Sequence, residues 1–227
     1  MRGSAPLPSF EPVPRVPRRS GVMVQYEEPL PWGKSSATEV VLKGLVSDGL
    51  LLPNSDPSRP VWIAARPEES EPKPPSGYIV SLVRLHERGF GVPTGRFIRA
   101  LCDHYGVELH NFAPNSISQA AVFVALCEGY LGVEAHWDLW IHLFRGELYT
   151  DSVQGQPRRY ACASGLMLHV RGQRANLYIP SKMTTNNAGW TRGWFYLRND
   201  NERLPAFTDK VLREKPDAWK WGVPHER

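Results

Sequence analysis

Apolar residues at helical spacing are densest in the middle of the chain. Ile98, Leu101, Cys102 and Tyr105 recur at i, i+3, i+4 and i+7 between Pro93-Thr94 and Gly106, which predicts a helix over 94–105. Ser116 and Gln119 then form a capping-box pattern behind the turn residues Ala113, Pro114 and Asn115. Ile117, Ala120, Ala121, Val124, Cys127 and Leu131 continue the apolar repeat, so a second helix is predicted over 116–131. With Phe123 and Leu126 added it is apolar on nearly every side, the pattern expected of the central helix of a domain. Trp137, Trp140, Ile141 and Phe144 predict a third helix over 134–145, closed by Gly146, with both tryptophans in the core.

Beyond that point the period shortens. Residues 165–170, 175–179 and 193–198 are short, partly alternating and bounded by turn residues, as strands are. Residues 78–85 are apolar and β-branched, and periodicity alone does not separate a buried strand from a helix start there. Residues 205–221 are weakly helical around Phe207, Val211 and Leu212. A helical half followed by a small strand-rich half, about 165–198, argues for an α+β fold.

The first third differs. Of 21 prolines, 14 fall in residues 1–75, a density that removes backbone donors and favours extended geometry. This region is expected to be a largely disordered linker, and 76–227 the folded domain. One island interrupts it: residues 36–39 fit a capping box, and Val40, Val41, Leu45 and Val46 predict a short helix over 37–48, stopped by Gly49.

Composition narrows the class. At 41% hydrophobic and 22% charged over 227 residues the chain is globular as a whole. No apolar run approaches the roughly 20 residues of a spanning helix, and the first 20 residues hold no apolar stretch of signal-peptide length, so an intracellular, nuclear or cytoplasmic protein is expected. Three cysteines, Cys102, Cys127 and Cys162, make no disulfide framework.

The net charge of +4 is concentrated in residues 151–203, where eight basic side chains stand against Asp151, Asp200 and Glu202. Arg158, Arg159, Arg171, Arg174, Lys182 and Arg192, interleaved with Tyr160, Tyr178, Trp190, Trp194, Phe195 and Tyr196, are candidate nucleic-acid-binding residues, with arginines on phosphates and rings stacked on bases. The competing reading puts the arginines on solvated strand faces and the aromatics in the core. A metal site from Cys102, His104, His110, Cys127, His136 and His142 is not supported, because none of these shows the close pairing that zinc sites use. Cys127, His136 and Asp138 compose a nucleophilic triad only on paper, since Cys127 falls within the apolar helix. The chain has no phosphate-cradling GxxxxGK[ST], no GxSxG and no HExxH. No catalytic, cofactor-binding or metal-ligating residue is assigned, and no small-molecule substrate is evident.

Several motifs nevertheless occur in a telling order: residues 87–93 (ERGFGVP), Phe97, Tyr105-Gly106, residues 114–116 (PNS), residues 127–132 (CEGYLG), Leu139-Trp140, Phe144, residues 194–199 (WFYLRN) and, at the end, Leu204-Pro205 with Phe207. From about 76 to 207 the chain resembles the plant gypsy-type transposon domain, a transposase-like family derived from long-terminal-repeat retrotransposons. The resemblance implies a retroelement origin and brings no catalytic residue with it. The Cys-His knuckle of many gag proteins is absent. Taken alone, Gly89 and Gly91 read as turn residues, Pro93 as a helix start, Pro114-Asn115 as the opening of the central helix, and 194–197 as a core strand.

Two functions are therefore expected. The first is a non-enzymatic, gag-like or protein-interaction domain whose partners are itself or other retroelement-derived proteins. The alternative is a nucleic-acid-binding module that uses the basic aromatic segment 151–203.

Overall fold

The computed structural model describes residues 32–92, 94–148, 150–153, 156–159, 165–172, 189–200 and 203–210, together with Tyr178, Asn187 and Trp219. In chain order the elements are α1 (Glu39–Ser47), β1 (Trp62–Ile63), β2 (Tyr78–Leu82), α2 (Val83–Glu87), α3 (Arg96–Tyr105), α4 (Pro114–Val124), α5 (Trp137–Leu143), β3 (Phe144–Leu148), β4 (Thr150–Val153), β5 (Gln156–Arg159), β6 (Leu166–Val170) and β7 (Trp194–Arg198). The fold is α+β. Among the described residues the sheets are antiparallel: one in the order β1-β7-β2, and the pairs β3-β6 and β4-β5. Among the described residues no helix is long and apolar enough to cross a membrane.

The main sheet joins the two ends of the chain. In β7, residues Trp194 through Leu197 are all buried, with Tyr78 opposite Arg198 on one side and Trp62 opposite Leu197 on the other. The three expected helices do precede most strands, but two of the three strands of this sheet, β1 and β2, come before α3, α4 and α5.

The linker expected over 1–75 does not extend through its described part. Trp32, Ala37, Leu42, Leu45, Leu51 and Trp62 all enter the core, and β1 crosses the expected boundary at 75/76 to pair with β7. Proline removes ladder donors, and side chains replace them. Asn54 accepts from the N–H groups of Val61 (2.7 Å) and Trp62 (3.1 Å) and donates to Trp62 O (2.9 Å). Trp32 Nε1 donates to Asp209 (2.8 Å), and Trp194 Nε1 to Gly33 O (3.0 Å). Residues 1–31 lie outside the described residues. The short helix forms as α1, but Thr38 caps it, accepting from Val41 N, while Ser36 donates instead to Arg192 O.

The ambiguous run 78–85 is both things it could be. β2 passes directly into α2 at Val83, whose N–H donates to Gly193 O (2.8 Å). α3 begins two residues later than expected, with Gly95 at its N-cap, and ends as expected in a left-handed Gly106. Pro93 lies outside the described residues. α4 begins at Pro114, so Ser116 is not a cap. Its buried hydroxyl donates to Leu166 O (2.8 Å) and accepts from Leu168 N (2.9 Å), tying α4 to β6. Nor is α4 buried all round: Ile117, Ala120 and Phe123 face the core, while Val122 is exposed.

The third helix is shorter than the expected 134–145. The chain leaves α5 after Leu143 and continues as β3, in which Gly146 permits a close approach: a Cβ there would stand 2.9 Å from the Tyr105 ring and 3.0 Å from Leu166. Trp140 is core, stacked on Phe144 with ring centroids 3.9 Å apart. The strands expected at 165–170 and 193–198 form as β6 and β7, whereas 175–179 lies outside the described residues apart from the buried Tyr178. Residues 203–210 are not helical, and of the rest of 205–221 only the buried Trp219 is described.

Candidate protein-interaction surface

The amphipathic faces of α3 and α4 bury Phe97, Leu101, Ile117, Ala120 and Phe123 against Trp140 and the sheets. What remains between them is a depression of about 880 Å3, open to solvent. Its lining includes the exposed Gly89, Gly91, Gly95 and Ala125, the half-buried Ala121, and the larger apolar walls Ile98, Val124 and Trp137. Ile98 belongs to the expected core face of α3, yet it is only half-buried and faces this groove. Trp137, expected in the core, is also half-buried and packs against Phe97 and His104.

The two glycines read as turn residues separate here. Gly89 has φ +98°, and a Cβ on it would meet Ala121 Cβ at 2.9 Å, so the fold requires it. Gly91 has neither a left-handed backbone nor any atom within 4 Å of a built Cβ. Neither backbone geometry nor packing requires a glycine at 91, which lines the groove.

α4 does not end in a cap. It runs on into a π-helical turn, Ala125–Tyr130, with Leu131 N donating to Leu126 O (2.9 Å) and Val133 N to Cys127 O (2.9 Å). Such turns are rare and concentrate at functional positions. This one directs Cys127 into the core and throws the following residues outward: Tyr130 is 82% exposed, Leu131 56% and Val133 51%. Of the eight large apolar residues left exposed among the described residues, five lie between Val122 and Leu139. Exposed apolar residues gathered in one stretch make it a candidate interaction surface. Glu128 and Glu134, which flank the Tyr130–Val133 ridge in sequence, both line the groove, as does Arg96.

The paper triad is only partly assembled. The His136 imidazole stands 4.0 Å from the Asp138 carboxylate, both exposed. Burial and the Glu128 carboxylate push the Cys127 thiol up, against the His136 backbone N–H, which favours the thiolate. The thiol is therefore protonated at neutral pH, the opposite of an activated nucleophile. Burial likewise pushes Cys102 up to about 12. Among the described residues no group of three or more His, Cys, Asp or Glu could hold a metal ion.

The candidate nucleic-acid residues do not form one described cluster. Arg171 pins the corner between α5 and β3, donating through Nε to Ile141 O (3.1 Å) and through its backbone to Leu143 O (2.7 Å). Arg192 is exposed in a short 3-10 turn. Arg158 and Arg159 lie on β5, opposite Asp151 and Thr150. Arg174 and Lys182 lie outside the described residues. Of the interleaved aromatics, Tyr178, Trp194, Phe195 and Tyr196 are core.

The sequence reading did not single out the ridge. Its signal is the surplus of apolar positions over 117–131, where a half-buried helix needs only one apolar face.

Residues 79–147, under a third of the chain, match the family model described as "Putative gypsy type transposon". The gypsy-type resemblance carried by the ordered motifs holds over this segment, and the match supports its retroelement origin. Every residue lining the groove, and the whole exposed ridge, falls inside it. Neither a curated protein nor a solved structure matches the chain.

Proposed function

We propose that this is a retrotransposon-derived, non-enzymatic, gag-like interaction domain that binds a second copy of itself through the groove and ridge between α3, α4 and α5. The observation carrying this reading is that one surface presents both a concave floor of small residues and, beside it, a protruding Tyr130–Val133 ridge. The same rim holds Arg96 and the exposed Glu128 and Glu134, so it also carries both signs of charge. A face with knob, hole, cation and anion is self-complementary, which a two-fold pairing of identical chains requires. The aromatic and aliphatic ridge residues would supply the buried anchors of such an interface.

The test is co-capture of an untagged full-length copy by a tagged one. Wild-type chains are expected to pair. The double substitution Tyr130→Asp with Leu131→Asp abolishes capture and leaves the far-UV circular dichroism unchanged. Capture that survives both substitutions would remove this face as the interface.

A further inference from the structure

A second depression, of about 900 Å3, lies where α3 meets the Gly77 turn and the segment following β7, and its lining includes Tyr78, Arg96, Arg99, Asp103, Asn199 and Arg203. It adjoins a smaller one of about 400 Å3 that contains Arg59, Arg198 and Asp200 and shares Asn199, Arg203 and Leu204 with it. Between them, the described residues supply five guanidinium groups and two carboxylates.

The charges are not balanced by pairing. Asp200 is the counter-ion of both Arg198 (2.9 Å) and Arg59 (3.7 Å). Among the described residues Arg96, Arg99 and Arg203 form no ion pair, and Asp103, one helical turn beyond Arg99, pairs with none of them. Arg99 Nε is shielded from solvent and has no acceptor among the described residues. The site is also held in place. Asn199 donates to Leu204 O (2.8 Å) and accepts from Leu204 N (3.0 Å), fixing the backbone that presents Arg203, and Asn199 N is anchored to Gly77 O (2.9 Å).

We propose that these joined depressions bind the phosphate backbone of a single nucleic-acid strand, with Arg99 and Arg203 as the principal contacts and Arg59 and Arg198 extending the track. Guanidinium forks pair with phosphate oxygens through two parallel hydrogen bonds. Arg203 stands in both depressions, so the cations follow one another along a continuous path, the arrangement that suits a linear chain of phosphates. The net charge of +4 and pI near 9.0 favour such a polyanion. This site differs from the basic segment expected from sequence: Arg99 and Arg59 lie outside 151–203, and only Arg198 and Arg203 belong to it.

The test is fluorescence anisotropy of the full-length chain with a labelled mixed-sequence single-stranded oligonucleotide across a salt series. Binding is expected to weaken as salt rises, with a log–log slope of about −0.7 for each phosphate neutralised. Arg99→Gln with Arg203→Gln should weaken binding about tenfold or more and flatten the slope by about 1.4. Arg158→Gln with Arg159→Gln should leave both unchanged. The charge-preserving pair Arg99→Lys and Arg203→Lys should retain part of the affinity, which separates lost contacts from lost folding. The Tyr130→Asp and Leu131→Asp chain should bind as wild type, so that failure here and failure of self-pairing remain distinct. No binding at low salt, equal binding by the Arg99 and Arg203 variant, or displacement by polyglutamate as effective as by unlabelled oligonucleotide would overturn the proposal; the last would assign the site to acidic peptides.

Discussion

The β1-β7-β2 sheet and the stretch from Val122 to Leu139 each carry many large apolar residues, yet the molecule uses them in opposite ways. In the sheet, Trp194, Phe195, Tyr196 and Leu197 are buried, and the Trp62 and Trp194 N–H groups donate to Leu52 O and Gly33 O. Around the π-helical turn, Phe123, Cys127 and Trp140 go inward while Val122, Tyr130, Leu131, Val133 and Leu139 stay in solvent. Folding accounts completely for the first set. It leaves the second set exposed, where it is available to the proposed interface.

The sharpest way to break this contrast is to truncate one residue on each side of it. Trp194→Ala empties a fully buried site and should destabilise the chain by about 3–5 kcal/mol in urea denaturation, whereas Tyr130→Ala should stay within about 0.5 kcal/mol. Comparable losses would mean that the ridge is part of the fold.

A nearly equal effect should come from acid. His86 packs on Phe195 of the sheet; Leu50 O accepts from its Nδ1 (3.3 Å), and Ser81 Oγ lies 3.0 Å from its Nε2. Burial, opposed by the Leu50 hydrogen bond, lowers its pKa to about 4 from an ordinary 6.5. The unfolded chain therefore takes up a proton that the folded chain excludes. The contribution is whole above pH 6.5 and is lost as pH falls toward 4, about 3 kcal/mol in all. Partial burial lowers His169 as well, in the same direction. Proton NMR should find the His86 ring neutral at pH 5.5; a ring titrating near 6.5 would place it in water and contradict its role in the core.

A smaller effect separates two glycines. Gly146→Ala drives a methyl group against the Tyr105 ring and Leu166, and should cost about 1–3 kcal/mol. Gly91→Ala meets open space and should leave the melting temperature unchanged while narrowing the groove. A large loss at Gly91 would restore it to the structural glycines.

What could be read from the chain follows the range of the interactions. α3 with its Gly106 stop, and the strands β6 and β7, were legible because caps, turns and periodicity act within a few residues. The ordering of 32–75 was not, since it depends on partners as distant as Trp32 with Asp209 and Ser35 with Trp194. Ser116 deceived for the same reason: its local pattern fits a cap, but Pro114 already starts the helix and the hydroxyl finds β6 some fifty residues away. The surface groove was half legible. Its apolar residues stand out in sequence, but whether an apolar position faces inward or outward along 117–139 is decided by the π-helical turn, which no local pattern announces. The cleft at Arg99 and Arg203 was hidden because its cations come from segments about a hundred residues apart.

The central claim, that the α3, α4 and α5 face exists for association rather than folding, is tested most directly by the molar mass of the full-length chain in solution. Light scattering across a concentration series should show wild type passing from monomer to dimer. The Tyr130→Asp and Leu131→Asp chain should remain monomeric with an unchanged melting temperature. A wild-type chain that stays monomeric up to its solubility limit, or a double variant that loses its fold together with its dimer, would contradict the account.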